Sequence, residues 1–205
     1  EKIIQPHYLG IDDVSPDHEY EPKTILFNHR DNDYTGYSWF VEQMDELYKT
    51  RQDFKVWVLL LPNPTREYMI TTKGDKEWYY KELQKCYVGF SPKQSYGGWS
   101  VSTTDGMMNG VPYIMYDDTY YKELNEMGDF FEDDYTALQL LNTYLDDPEY
   151  RNEEASKALD WMRNKLVYKN KMMEMSVYMD RLVMETRAVK DTDKFKEIVE
   201  WIKTA

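Results

Sequence analysis

Cysteine is nearly absent: Cys86 is the single one in 205 residues. This excludes a disulfide within the chain and any zinc site built on cysteines, and it points to a reducing, cytoplasmic setting. Histidine is scarce as well. His7, His18 and His29 stand apart, without metal-ligand spacing, so no metal is expected. No run approaches the ~18 apolar residues of a membrane span, and the first fourteen residues lack the apolar core of a signal peptide. Basic side chains are outnumbered, 25 against 38 acidic, leaving a net charge of -13. Such a surface repels a phosphate backbone at long range, so contact with nucleic acid would have to come through another domain. A phosphate pocket is still allowed, because it needs only one or two aimed cations and a few backbone N–H groups. The chain opens on Glu1 rather than Met and reads as a piece of a longer protein.

Against these absences stand 41% hydrophobic and 16% aromatic residues, enough for a packed core and against global disorder. The length suits one sizeable domain with a helical extension. Residues 1–22, with three prolines among polar residues, read as an extended lead-in or linker. Short apolar runs at 23–28, 54–61, 68–72, 87–90 and 111–116 read as strands, and 54–61 (FKVWVLLL) has the pattern of a strand covered on both faces. Helical spacing marks 37–50, 77–85 and 99–109 between them. Alternating strands and helices over residues 23–150 predict an α/β domain with a doubly wound parallel sheet, whose ligands sit beyond the carboxyl ends of the strands. Residues 151–205 read as C-terminal helices. Their methionines 172, 173, 175, 179 and 184 suggest packing, or a face that docks on a domain outside the chain.

Two loops follow strands on the ligand-bearing edge. In His29–Gly36 (HRDNDYTG), Arg30 stands between a strand and a helix N-terminus, where a guanidinium and free N–H groups suit a diphosphate. Surface pairing of Arg30 with Asp31 or Asp33 is the plainer reading of the same residues. In Ser91–Pro112, the turn Tyr96-Gly97-Gly98-Trp99 lets the backbone approach an anion closely. Asp105, two turns into the next helix, offers a carboxylate to a pair of ribose hydroxyls; an ordinary glycine turn with an exposed helical Asp fits equally. The acid pairs Asp12-Asp13, Asp117-Asp118, Asp133-Asp134 and Asp146-Asp147 read as helix caps and solvated turns.

The order of these pieces resembles the C-terminal half of GT-B glycosyltransferases, in particular the large retaining group of the family 4 type. The likeness spans roughly 8–165. Leu9-Gly10-Ile11-Asp12 with Pro16 is similar to the family's lead-in, Ile25–Arg30 to its strand ending in Gly-Arg, and Tyr87–Pro92 to its strand ending in Pro-Ser. Asp105-Gly106-Met107-Met108-Asn109-Gly110-Val111-Pro112 resembles its most specific motif, and Glu123-Leu124 and Ala158–Trp161 follow in place.

The resemblance implies a Rossmann-like domain that holds a nucleoside diphosphate sugar, UDP-linked or another, with no cofactor and no required metal. Arg30 would contact the diphosphate; Gly97, Gly98, Trp99 and Ser100 would give backbone N–H groups to phosphate or sugar; Asp105 would replace a glutamate on the ribose; the base would lie near 70–72. Two departures stand out. The family's lysine falls on Thr35, for which Lys93 or Lys73 could substitute, and its first acidic residue falls on Gly97. The acceptor would come from an N-terminal domain or partner chain, so this segment alone is expected to transfer nothing. A composition rich in Tyr, Asn, Asp and Lys suggests an AT-rich genome, such as a phage's, working in its host's cytoplasm. Modified DNA bases are then one acceptor class beside glycans, lipids and proteins. A non-catalytic module that kept the fold, and an unrelated doubly wound domain such as an epimerase half, stay open beside the transferase.

Overall fold

The computed structural model describes residues 23–59, 63–72, 74–95, 101–124, 127–189 and 200. Six strands form one sheet: β1 Thr24–Phe27, β2 Lys55–Leu59, β3 Met69–Thr72, β4 Val88–Ser91, β5 Tyr113–Tyr116 and β6 Asp129–Phe131. Their order is β3-β2-β1-β4-β5-β6, and every pairing is parallel. The doubly wound sheet expected from the alternation is what forms. The helices are α1 Tyr37–Thr50, α2 Lys76–Leu83, α3 Val101–Met108, α4 Thr119–Leu124, α5 Asp134–Asp146, α6 Pro148–Lys165 and α7 Tyr168–Val189.

Side chains alternate along each strand and so divide the core into two layers. Ile25, Phe27, Val56, Val58, Val88, Phe90 and Ile114 pack with Phe40, Met44 and Leu47 of α1 and Leu141 and Tyr144 of α5. Leu26, Trp57, Tyr113 and Met115 point the other way, onto Met107 of α3 and Leu159 and Met162 of α6. Both faces are covered, which is why these strands read as continuous apolar runs. Apolar residues at 40, 44 and 47 put one stripe of α1 inward. The acid pair Asp133-Asp134 does act as a cap, since the Asp133 side chain accepts from Thr136 N; Asp147 does the same for α6, with Pro148 in its first turn.

Two elements escape the sequence pattern. β6 has three residues, too few to show a period, and α4 has six. The methionine stripe does not pack onto the domain. Met172, Met173, Met175 and Met179 of α7 are 50–63% exposed. The side chain of residue 184, the segment 190–199 and the lead-in 1–22 lie outside the described residues.

Arg151 of α6 is fully buried at the amino edge of the sheet. Its Nε donates to the Tyr87 carbonyl at 2.8 Å and its Nη2 to the Gly110 carbonyl at 2.9 Å, while the guanidinium lies 5.2 Å from the Tyr87 ring centroid. It ties α6 to the residues that enter β4 and β5. Arg151→Ala leaves two buried carbonyls without these donors and should lower the unfolding free energy by about 3 kcal/mol in urea titration.

Candidate functional site

The sheet changes winding direction between β1 and β4. These strands pair through Ile25 with Val88 and Leu26 with Gly89. After β1 the chain crosses to α1 on one face; after β4 it crosses to α3 on the other. The two connections diverge, and a crevice opens beyond the carboxyl ends of both strands.

The residues closing that crevice from below are polar and buried. Asn28, directly after β1, is 2% exposed. Its Oδ1 accepts from the Tyr113 hydroxyl at 2.9 Å, and its Nδ2 donates to Tyr79 Oη at 2.9 Å and to the Ser102 carbonyl at 2.7 Å. One amide thereby joins the end of β1 to α2, α3 and β5. His29 is buried beside it, Nε2 3.0 Å from Ser91 Oγ and Nδ1 3.4 Å from Gln94 Nε2. Ser91 Oγ is in turn 2.8 Å from Thr103 Oγ1 on α3. Burial pushes the imidazole pKa down to about 4, so the ring is neutral near pH 7.

Arg30 follows on an exposed turn. Its carbonyl accepts from Asn32 N at 2.8 Å and Thr35 Oγ1 at 2.5 Å, which curls the loop into the 3-10 turn Asp33–Thr35. Gly36 then enters α1 with φ +76, and a Cβ there would sit 2.6 Å from the Lys93 carbonyl oxygen. The β4 loop therefore presses on the β1 loop where only glycine fits. Ser95 N completes the seam with a 2.9 Å bond to the Tyr34 carbonyl.

No protein-family model matches the sequence, and no curated protein matches it. Solved structures do match. The C-terminal domain of a glycosyl transferase group 1 family protein (LpcC) from Francisella tularensis superposes with a TM-score of 0.64 at 13% identity, over 78% of this chain and 100% of that one. Sucrose-phosphate synthase from Thermosynechococcus elongatus gives 0.70 at 11% identity, over 87% and 52%. The pneumococcal O-GlcNAc transferase GtfA, solved with UDP and GlcNAc, gives 0.66 at 12% identity, over 85% and 38%. The fold is that of a GT-B C-terminal half. The chain spans the whole LpcC domain but only 37% of TarM and 52% of the synthase.

Of the three expected contact points, Arg30 and Asp105 are among the described residues. Arg30 stands at the crevice, and among the described residues its guanidinium bonds only to Tyr34 Oη, at 3.4 Å; it forms no ion pair there with Asp31 or Asp33. Asp105 lies on α3, half-buried. Its charge adds to burial in raising the Tyr79 hydroxyl above the usual tyrosine range, so the carboxylate is within electrostatic reach of the group that Asn28 holds. Gly97, Gly98, Trp99 and Ser100, the third point, lie outside the described residues, as does Lys73.

Thr35 supplies no cation, and its hydroxyl is turned onto its own loop. It is 4% exposed, with its hydroxyl on the Arg30 and Asn32 carbonyls. Lys93, offered as a substitute, turns toward β5: its Nζ lies 5.3 Å from the Tyr116 ring centroid. There it lines a cleft of about 330 Å³ with Trp39, Tyr116, Phe131 and the carboxylates of Asp33, Glu132, Asp133 and Asp134. Four acids against one lysine make this cleft a poor host for a diphosphate. The sequence did not reveal it, because its wall at 131–134 starts from Phe131, the last residue of the missed strand β6, and runs through a turn into α5. The polar pair Asn28-His29 at the end of a buried strand was the one legible sign of the network below the crevice.

The His29 shift has a sign that can be measured. An unfolded chain takes up the proton near pH 6.5, whereas the folded one does so only near 4. Stability from this group is complete above pH 6.5 and falls as pH drops toward 4. Between pH 7 and 5 the wild-type chain should lose about 2 kcal/mol more unfolding free energy than His29→Gln, measured by urea titration at each pH.

Proposed function

We propose that this chain is the donor-binding half of a glycosyltransferase, taking a nucleoside diphosphate sugar into the crevice between β1 and β4. The observation that carries the reading is Arg30 at the winding reversal of a GT-B half, its guanidinium bonded among the described residues only to Tyr34 Oη. The solved neighbours support the ligand class, since GtfA and a TarM variant were crystallised with UDP. In this reading Arg30 neutralises the departing diphosphate, backbone N–H groups of Gly97 to Ser100 share its charge, and Asp105 grips the ribose. Dipoles and charges, and not a metal, stabilise the leaving group in this reading.

The acceptor is held by an N-terminal domain or partner chain. With a net charge of -13, this half leaves any nucleic-acid acceptor, a modified phage base included, to that other domain. A second reading, a binding module without catalysis, draws on Thr35: a buried threonine stands where the resembled family has a cation.

Calorimetric titration with UDP separates these readings from an unrelated domain. The chain should bind UDP, and Arg30→Ala should weaken binding roughly tenfold to a hundredfold, the worth of one charged hydrogen-bonding partner. Asp105→Ala should weaken uridine and UDP alike. Absence of binding by the wild-type chain to UDP and to the other nucleoside diphosphates would end the donor-site reading. Incubated with donor sugars and acceptors, the isolated chain should release no glycosylated product; turnover would show that a separate acceptor domain is unnecessary.

A further inference from the structure

The polar network beneath the crevice has a centre. We infer that His29 is a positioning residue for the donor diphosphate, clamping the β4 loop to the turn that carries Arg30. The inference rests on the donor-site reading above and names the group that sets its geometry.

His29 is the residue before Arg30, so the ring's orientation fixes the backbone on which the guanidinium stands. Both ring nitrogens are used. Gln94 Nε2 donates to Nδ1 at 3.4 Å, which leaves the proton on Nε2 to be donated to Ser91 Oγ at 3.0 Å. Ser91 passes the chain to Thr103 of α3, and both hydroxyl side chains are fully buried. Gln94 spends its other N–H on Tyr121 Oη at 2.9 Å, and the Tyr121 hydroxyl donates to the Pro92 carbonyl at 3.3 Å. The imidazole thus joins the end of β1 to the end of β4, to α3 and, through Gln94, to α4. The Phe27 ring, 5.3 Å away at 65°, holds it from the apolar side. A neutral imidazole offers one donor and one acceptor on opposite sides, which is what two loops leaving adjacent strands require. Apolar side chains at 29 would leave Ser91 and Gln94 without this partner and free the β4 loop to shift.

The test compares UDP with uridine on the full chain by calorimetry, because the ratio of their affinities isolates the diphosphate contact. His29→Leu should reduce that ratio roughly tenfold while leaving uridine affinity unchanged. His29→Gln, whose amide carries one acceptor and one donor, should restore it. Gln94→Leu, which cuts the network in the loop, should reduce the ratio in the same way and serves if His29→Leu does not fold. A wild-type ratio in the leucine variants overturns the inference. So does an equal loss of uridine and UDP, which marks a merely structural role. Arg30→Ala separates the two claims: if it collapses the ratio and the network variants do not, only the positioning role falls. If Arg30→Ala leaves the ratio intact, the donor site falls and the positioning role with it.

Discussion

The parallel pairing of β1 with β4 is the constraint on which the rest depends. Two backbone loops must leave adjacent strands and travel to opposite faces of the sheet. They cannot cover their own point of departure, so a crevice is unavoidable there. What the sequence decides is how that crevice is floored. Here the floor is a set of buried amide, imidazole and hydroxyl groups, each with partners, rather than close-packed glycine. A buried polar group without partners is costly, and a satisfied one admits few alternative arrangements. Asn28 uses all three of its hydrogen-bonding groups on three different elements, which makes the end of β1 a fixed point for the turn above it.

Charge is distributed to match. The chain as a whole is strongly acidic, and the cleft over β5 and β6 concentrates four carboxylates around three aromatic rings. Three of those carboxylates are already engaged: Asp133 caps α5, Asp134 accepts from Trp39 Nε1 at 3.0 Å, and Asp33 accepts from the Ser38 hydroxyl. An anion approaching the carboxyl edge therefore meets Glu132, Asp133 and Asp134 on the β6 side, and Arg30 with Asp31 and Asp33 on the β1 side. Repulsion by these acids does not create a site, but it narrows where one can be.

How much of this was legible follows from length and period. β1, β2, β4 and β5 are buried on both faces and announced themselves as apolar runs, and α1 showed a clear helical stripe. β6 and α4 were too short for any period to emerge, so the aromatic cleft that β6 borders was invisible. The turn that carries Arg30 was readable because loop chemistry at a strand end is local. The role of Lys93 was not, since its direction depends on Tyr116, a residue from another strand. Nor could composition tell that Met172 to Met179 would stay exposed: helical spacing shows which residues share a face, and not whether anything covers that face.

Thr35 acts on the shape of the Arg30 turn. The hydroxyl ties two carbonyls of the Arg30 turn, so the position now stiffens the loop instead of adding charge to it. A site with one cation must gain more from geometry than a site with two. Electrostatic stabilisation of a leaving group grows with preorganisation, because a donor already in place costs nothing to reorient as charge develops. The network under Arg30, the glycine contact at 36 and the seam from Ser95 to Tyr34 all act in that direction. Rigidity beneath the guanidinium is what these contacts share, and buried polar side chains with partners supply it at the end of β1.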